Sequence, residues 1–137
     1  MAGSLHNNAL SRMADLGYTE EMVALLPDEL KNAFSGCGCP VAELTLEGGE
    51  VVIDLGAGAG IDSFLVSQML ISGMVISIDM TEEMLALHRP ETPGVPIKLV
   101  TGDLERLPIG DCTADIVIAN AAFNLTINKA TAYKEAL

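Results

Sequence analysis

Val51-Val52-Ile53-Asp54-Leu55-Gly56-Ala57-Gly58-Ala59-Gly60 is the stretch that decides the fold. The β-branched run Val51 to Ile53 reads as a strand buried on both faces. Asp54 closes the strand, three alternating glycines follow, and Ile61 begins an amphipathic run. Strand, glycine turn and helix predict the nucleotide-binding first unit of a doubly wound α/β domain. Without a Cβ in the way, the glycines let the backbone turn tightly and let a ligand approach the main chain.

Two departures from the dinucleotide pattern narrow the ligand. That pattern is G-x-G-x-x-G, and Ile61 stands in its third glycine position. Asp54 also sits where a pyrophosphate would come close, and one anion repels another. A cationic amino-acid end is favoured there instead. S-adenosylmethionine carries an ammonium and a sulfonium and no phosphate. The D-x-G-x-G-x-G of Asp54 to Gly60 resembles the first motif of the class I S-adenosylmethionine-dependent methyltransferases.

Outward from this unit, Ile61 to Ile71 is a helix with Ile61, Phe64, Leu65 and Met69 on one side. Met74 to Ile78 is a second buried strand, and Asp79 ends it. That acid lies about 20 residues beyond the glycine turn, where a carboxylate can accept both ribose hydroxyls. Met80 is suited to lie against a flat adenine. Thr81 is expected to cap a helix over Glu82 to His88, with Arg89-Pro90 ending it and Pro93, Gly94 and Pro96 making a loop. His88 reads as a charge partner at that helix end. Ile97 to Val100 and Ala114 to Asn120 are the third and fourth strands. Asp103 and Asn120 fall just past strand ends, on the rim where doubly wound sheets bind ligands. A last helix runs from about Asn128.

Before the sheet, Leu5 to Leu16 is a helix stopped by Gly17, and Thr19 is the N-cap of the next. Pro27 interrupts that helix, and Asp28 to Phe34 adds another turn or two. The loop Ser35-Gly36-Cys37-Gly38-Cys39-Pro40 follows. Its C-x-C is too short for a zinc knuckle and has no later match, while Cys112 is isolated. Two close thiols can bind a soft metal or metalloid; a flexible loop of small residues is the plainer reading.

The chain has 137 residues, a single structural domain. Residues 1–46 read as an N-terminal helical cap segment and 47–137 as the cofactor-binding core. Mean hydropathy is +0.39, rich for a small soluble domain, which hints at apolar surface covered by a partner. Nothing is long and apolar enough to span a membrane, for which about 20 residues are needed. No signal-peptide core is present, and three unpaired cysteines suit a reducing compartment, so a cytoplasmic location is expected. A net charge of −12 repels a phosphate backbone and argues against nucleic acid.

Gly36-Cys37-Gly38, Asp54 to Gly60, Asp79 to Leu85, Gly102 to Glu105 and Asn120 to Leu125 together resemble the arsenite methyltransferases, a class I S-adenosylmethionine-dependent family. The similarity runs from about Tyr18 to the end, and D-M-T-x-E-M-L after the second strand is its most specific piece. The resemblance implies a mostly parallel Rossmann-like sheet ordered 3-2-1-4. It implies that Asp54, Gly56, Gly58 and Gly60 cradle the methionine part of S-adenosylmethionine and that Asn120 lines the floor near it. Asp79 would hold the ribose, Met80 would flank adenine, and Asp103 and Leu104 would meet the adenine edge. Cys37 matches one metalloid-binding cysteine, and Cys39 is a candidate second substrate ligand. Ala121 stands where the family has another cysteine. The chain is expected to stop after the fourth strand, before the half of the fold that builds the substrate pocket. No resident metal is implied.

Methyl transfer to a small acceptor is therefore the leading expectation. Its alternative is a catalytically inactive S-adenosylmethionine-binding or oligomeric remnant of a methyltransferase. As an edge, the apolar fourth strand invites pairing with another chain, so a homodimer through that strand or the last helix is expected.

Overall fold

A computed structural model of the chain describes residues 2–88 and 94–137. Arg89, Pro90 and Pro93, expected to end a helix and form a loop, lie outside the described residues. Four parallel strands form one sheet: β1 (Val51–Leu55), β2 (Met74–Asp79), β3 (Ile97–Thr101) and β4 (Ile116–Ala119). Their order is β3-β2-β1-β4, the one the family resemblance implies. Asp54 pairs with Ser77 and Ile118, and Leu55 with Ile78 and Ala119. On the other side, Asp79 pairs with Thr101. All four strands thus end on one rim, and the loops leaving that rim carry the residues singled out in the sequence.

Alternation along the strands divides the core into two clusters. Val52, Val75 and Ile118 face one way, against Phe64, Leu65 and Val66 of α4 (Ile61–Met69). Met13, Tyr18, Leu26 and Leu30 join the same cluster, so the N-terminal helices share a core with the sheet. These helices are α1 (Ala2–Asp15), α2 (Glu20–Leu25) and α3 (Asp28–Asn32). Ile53, Leu55, Ile76 and Ile78 face the opposite way, towards Leu104, Ala122 and Ala132. Ala132 belongs to α6 (Lys129–Ala136).

Local signals explain most of the boundaries. The Thr19 hydroxyl accepts the Met22 N–H at 3.2 Å and starts α2. Asn128 does the same for Thr131 at 3.1 Å and starts α6. No helix among the described residues is long and apolar enough to cross a membrane.

The structure corrects the sequence in three places. Residues Ile61 to Ser67 of α4 are buried all round rather than on one stripe, because the sheet covers one side and the N-terminal helices and the 3₁₀ turn Pro40–Glu43 crowd the other. Thr81 makes no side-chain cap; the Asp79 carboxylate accepts its N–H instead, at 2.9 Å. Helix α5 is only Glu82–Leu85, and His88 beyond it is no charge partner at a helix end. Its ring is buried, both nitrogens lack a partner among the described residues, and burial pushes its pKa down towards the neutral form. β4 lies at the edge of the sheet: Ile118 points into the core and Val117 is 38% exposed.

Candidate functional site

Two recesses meet at Gly56 on the rim of the sheet. The larger has a cavity volume of about 300 Å³. Asp79, Met80, Asp103, Leu104 and the segment Leu125 to Ile127 surround it. The smaller, about 40 Å³, lies between Asp54, the turn Gly56 to Gly60, Asp62, Asn120 and the segment Ala33 to Gly36. The nine residues expected to hold a cofactor therefore divide between the two: Asp54, Gly58, Gly60 and Asn120 at the small lobe, Asp79, Met80, Asp103 and Leu104 at the large one, and Gly56 at both.

Gly56 has φ +63°, the left-handed region that favours glycine, and a Cβ there would come within 2.5 Å of Ala122 Cβ. Neither the turn nor the close approach admits a side chain. Gly58 has a similar φ of +56°, but its virtual Cβ meets nothing nearer than Met84 Cε at 3.7 Å, which leaves its outer side clear. Asp79 ties the turn to β2: one carboxylate oxygen accepts the Gly58 N–H at 2.8 Å and the other the Thr81 N–H at 2.9 Å. A carboxylate offers about four lone-pair directions, so both oxygens retain acceptor capacity towards the large lobe.

The small lobe is built from two buried carboxylates. Asp54 accepts from the Ser63 hydroxyl at 2.7 Å, and Ser63 in turn contacts the Ser77 hydroxyl at 2.6 Å. Burial, with Asp62 adding repulsion, pushes the Asp54 carboxyl up to about 8. Asp62 accepts from Tyr18 Oη at 2.6 Å and from Asn120 Nδ2 at 3.1 Å; burial still holds its carboxyl above the usual range. Burial beside Asp62 also raises the Tyr18 hydroxyl, which stays protonated and donates. Two buried acids make a site that favours an incoming positive charge, although Arg12, which donates to the Gly36 carbonyl at 2.9 Å, brings one guanidinium to the segment Ala33 to Gly36.

Asn120 does more than line a floor. Its Oδ1 accepts the N–H groups of Cys37 and Gly38 at 2.9 and 3.1 Å, and its Nδ2 donates to the Gly38 carbonyl at 2.8 Å. It thus latches the cysteine loop to the end of β4. Gly36 packs so closely that a Cβ would lie 2.5 Å from Asn120 Nδ2. Cys37 is exposed on this loop and Cys39 is buried, where desolvation raises its thiol. No group of three or more His, Cys, Asp or Glu side chains able to hold a metal occurs among the described residues.

Sequence reasoning missed Tyr18, Asp62 and Glu105. Tyr18 and Asp62 come together across 44 positions, so local pattern carried no sign of them. Glu105 lay next to a named pair, Asp103-Leu104, and its role depends on a segment more than 20 residues away.

The model of a methyltransferase domain matches residues 52–137. The chain belongs to this methyltransferase family. It is 36% identical over 118 residues to the arsenite methyltransferase of Halobacterium salinarum, covering 83% of this chain and 30% of that protein. With the arsenite methyltransferase of Mus musculus the identity is 32% over 131 residues, covering 86% of this chain and 34% of the mouse protein. Among solved structures, an arsenic(III) S-adenosylmethionine methyltransferase from Chlamydomonas reinhardtii superposes with a TM-score of 0.73 at 30% identity. That superposition covers 85% of this chain and 42% of the algal one. The methyltransferase chain thus spans about a third of the length of these curated relatives. The Rossmann-like methyltransferase fold expected from the sequence is the one found, and S-adenosylmethionine is the cofactor this kinship supports.

Proposed function

We propose that the chain binds S-adenosylmethionine and takes part in methyl transfer to a small acceptor. One observation carries this reading: the two-lobed cleft about Gly56, open and apolar-walled on the Asp79 side and doubly acidic on the Asp54 side. The large lobe, at about 300 Å³, has the size of a small-molecule site, and its Asp79 carboxylate suits a ribose diol. Met80, Asp103 and Leu104 would surround the base. The acidic lobe suits the ammonium and sulfonium of the methionine end, held by Asp54, the glycine turn and Asn120. At about 40 Å³ that lobe has room for only a few waters. The residues fit the cofactor once the segment Ala33 to Gly36 and the latched cysteine loop move outward.

The cofactor supplies the methyl group; the chain's own part is to bind and orient it. A soft nucleophile then needs mainly in-line positioning rather than acid–base help. Arsenite methylation is expected to be weak, because three converging thiolates are needed and the exposed Cys37 and buried Cys39 lie in different surroundings. The doubly acidic lobe gives a second reading its support, a chain that holds the cofactor without turning it over. Release of S-adenosylhomocysteine in the presence of thiol or metalloid acceptors separates the two.

We also propose a homodimer. β4 pairs only with β1 and has no Lys or Pro along its free edge, unlike β3, where Lys98 stands mid-strand. Beside it lies a cavity of about 360 Å³ lined by Ile53, Leu55 and Val117. Lys134, Asp111 and Glu135 are also in its lining, but with a net charge of −12 on each copy the apolar residues are what a two-fold copy would cover.

The test of cofactor binding is calorimetry with S-adenosylmethionine and its demethylated product. Asp79→Ala removes a hydrogen-bonded charged acceptor and should cost about 1–3 kcal/mol of binding. Undiminished affinity in that variant, or no binding by the natural chain, overturns the assignment.

A further inference from the structure

Large aliphatic side chains line the outside of the large lobe with little to bury them. Leu125 is 81% exposed and Ile127 98%, and Met80 is 65% exposed. Leu125 ends the 3₁₀ turn Phe123–Leu125, and Ile127 lies on the short connection from it to α6. Packing does not hold these side chains, and the bonds of Leu125 N–H to Ala122 O and of Thr126 to Phe123 O are local. Phe123 stacks on Tyr133 of α6 at 4.3 Å, and Glu105 supplies the tie from this segment to the loop after β3. A single carboxylate oxygen, Oε1, accepts the N–H of Ile127 at 2.7 Å and the N–H of Asn128 at 2.8 Å.

The stitch is reciprocated and aimed. Glu135 of α6 accepts the Leu107 N–H at 2.8 Å, so residues 105–107 and 127–135 are joined by two carboxylates pointing in opposite directions. Asp103 accepts the Glu105 N–H at 2.9 Å, a tight turn that sends the Glu105 side chain across the gap. Both ends of the stitch line the same lobe: Glu105 itself, and Leu125, Thr126 and Ile127.

We propose that Glu105 is a positioning residue, holding the segment Leu125 to Ile127 as the outer jaw of a slot for a flat heteroaromatic ring, with Met80 as part of the slot's wall. This rests on reading the large lobe as the adenosine site. The exposed side chains then have a reason to be apolar, because an inserted ring buries them. The sequence places Glu105 at the end of the stretch Gly102 to Glu105 but gives its side chain no role.

The experiment measures binding of S-adenosylhomocysteine and, separately, of adenosine to the full chain by calorimetry, with thermal unfolding of each ligand-free variant alongside. Glu105→Ala should weaken both ligands by a common factor of about five- to twentyfold, the loss of charge-assisted hydrogen bonds to the jaw. Glu105→Gln keeps an oxygen that can accept both N–H groups and should recover most of that loss. Ile127→Ser removes the jaw's exposed side chain without touching the core, so it should weaken adenosine even if Glu105→Ala unfolds the chain. Natural-chain binding with unchanged affinity in both Glu105→Ala and Ile127→Ser overturns the inference alone. So does Glu105→Gln binding no better than Glu105→Ala. No binding of either ligand to the natural chain overturns the cofactor reading, and this inference with it.

Discussion

The two lobes on either side of Gly56 are built by opposite means. The large one is walled by exposed side chains and held by carboxylates that accept backbone N–H groups, Asp79 on Gly58 and Thr81, Glu105 on Ile127 and Asn128. The small one is a buried side-chain network, Tyr18–Asp62–Asn120 beside Asp54–Ser63–Ser77. Solvent-held walls yield to a ligand at little cost. A dry pair of acids responds chiefly to charge, because burial raises the free energy of ionising each and Asp62 adds repulsion at Asp54. One cleft can thus recognise a flat ring by fit and a cationic tail by field.

The sharpest way to break this division is to strike the residue both lobes share. Gly56→Ala places a methyl group 2.5 Å from Ala122 Cβ at a φ of +63°, so strain and collision act together. We expect a loss of about 2–4 kcal/mol of stability and of cofactor binding at both ends. Gly58→Ala is the control, with left-handed strain but no collision, and should cost only about 1 kcal/mol. Urea unfolding of the two variants checks the difference. Equal costs would show that backbone strain alone, not the approach to Ala122, shapes the junction.

A smaller effect separates the lobes by pH. Burial raises the Asp54 carboxyl to about 8 and raises Asp62 in the same direction. Between the ordinary carboxylate range and pH 8 the folded chain holds protons that the unfolded chain has lost. Stability of the ligand-free chain should therefore fall as pH rises through this window. Affinity for S-adenosylmethionine should rise over the same range, by at most about tenfold per pH unit for one proton, since a cation favours the ionised acids. Tyr18, Ser63 and Asn120 face these acids and stay neutral, Asp79 adds a weak repulsion to Asp54, and the Arg12 guanidinium is engaged with the Gly36 carbonyl. Asp54→Asn should flatten both profiles, while Glu105→Gln leaves them intact. Profiles unchanged by Asp54→Asn would shift the charge reading to Asp62.

How far the sequence reaches follows the same line. The strand–glycine–strand unit was legible because its signals are local: β-branched runs, positive-φ glycines, and an acid at a set distance. The order β3-β2-β1-β4 and the grouping of Asp79, Met80, Asp103 and Leu104 about one lobe follow from the family resemblance rather than from that unit alone. Tyr18 with Asp62, and Asn120 with the cysteine loop, depend on contacts across 44 and more than 80 positions, where no short pattern operates. α4 misled for a related reason. Its apolar spacing marks a stripe, but Asp62, Ser63 and Ser67 lie on the other side and are buried through hydrogen bonds that spacing cannot show. His88 is the converse: a titratable side chain read as a surface charge, which instead packs beside Gly60.

The smallest effect expected lies outside the cleft, at the edge strand that the small lobe's Asn120 follows. Val117 points outward from β4, while Ile118 belongs to the core. A dimer formed here pairs the free backbone groups of β4 and covers Val117 and the adjoining cavity. Opposing it is the charge, −12 on each copy, which repels a second copy at low ionic strength. Salt screens that repulsion, with a Debye length of about 10 Å at 0.1 M, and leaves apolar contact intact. Association should therefore strengthen as salt rises from about 0.02 to 0.5 M, the reverse of an interface held by ion pairs. Val117→Lys should lower association without lowering stability much, since the substituted side chain already faces solvent. Ile118→Lys is unsuitable for this purpose, because it would bury a charge in the main core. Sedimentation of the natural chain and of Val117→Lys at several salt concentrations decides the matter. A monomer at every salt concentration overturns the proposal, and a dimer indifferent to Val117→Lys moves the interface away from β4.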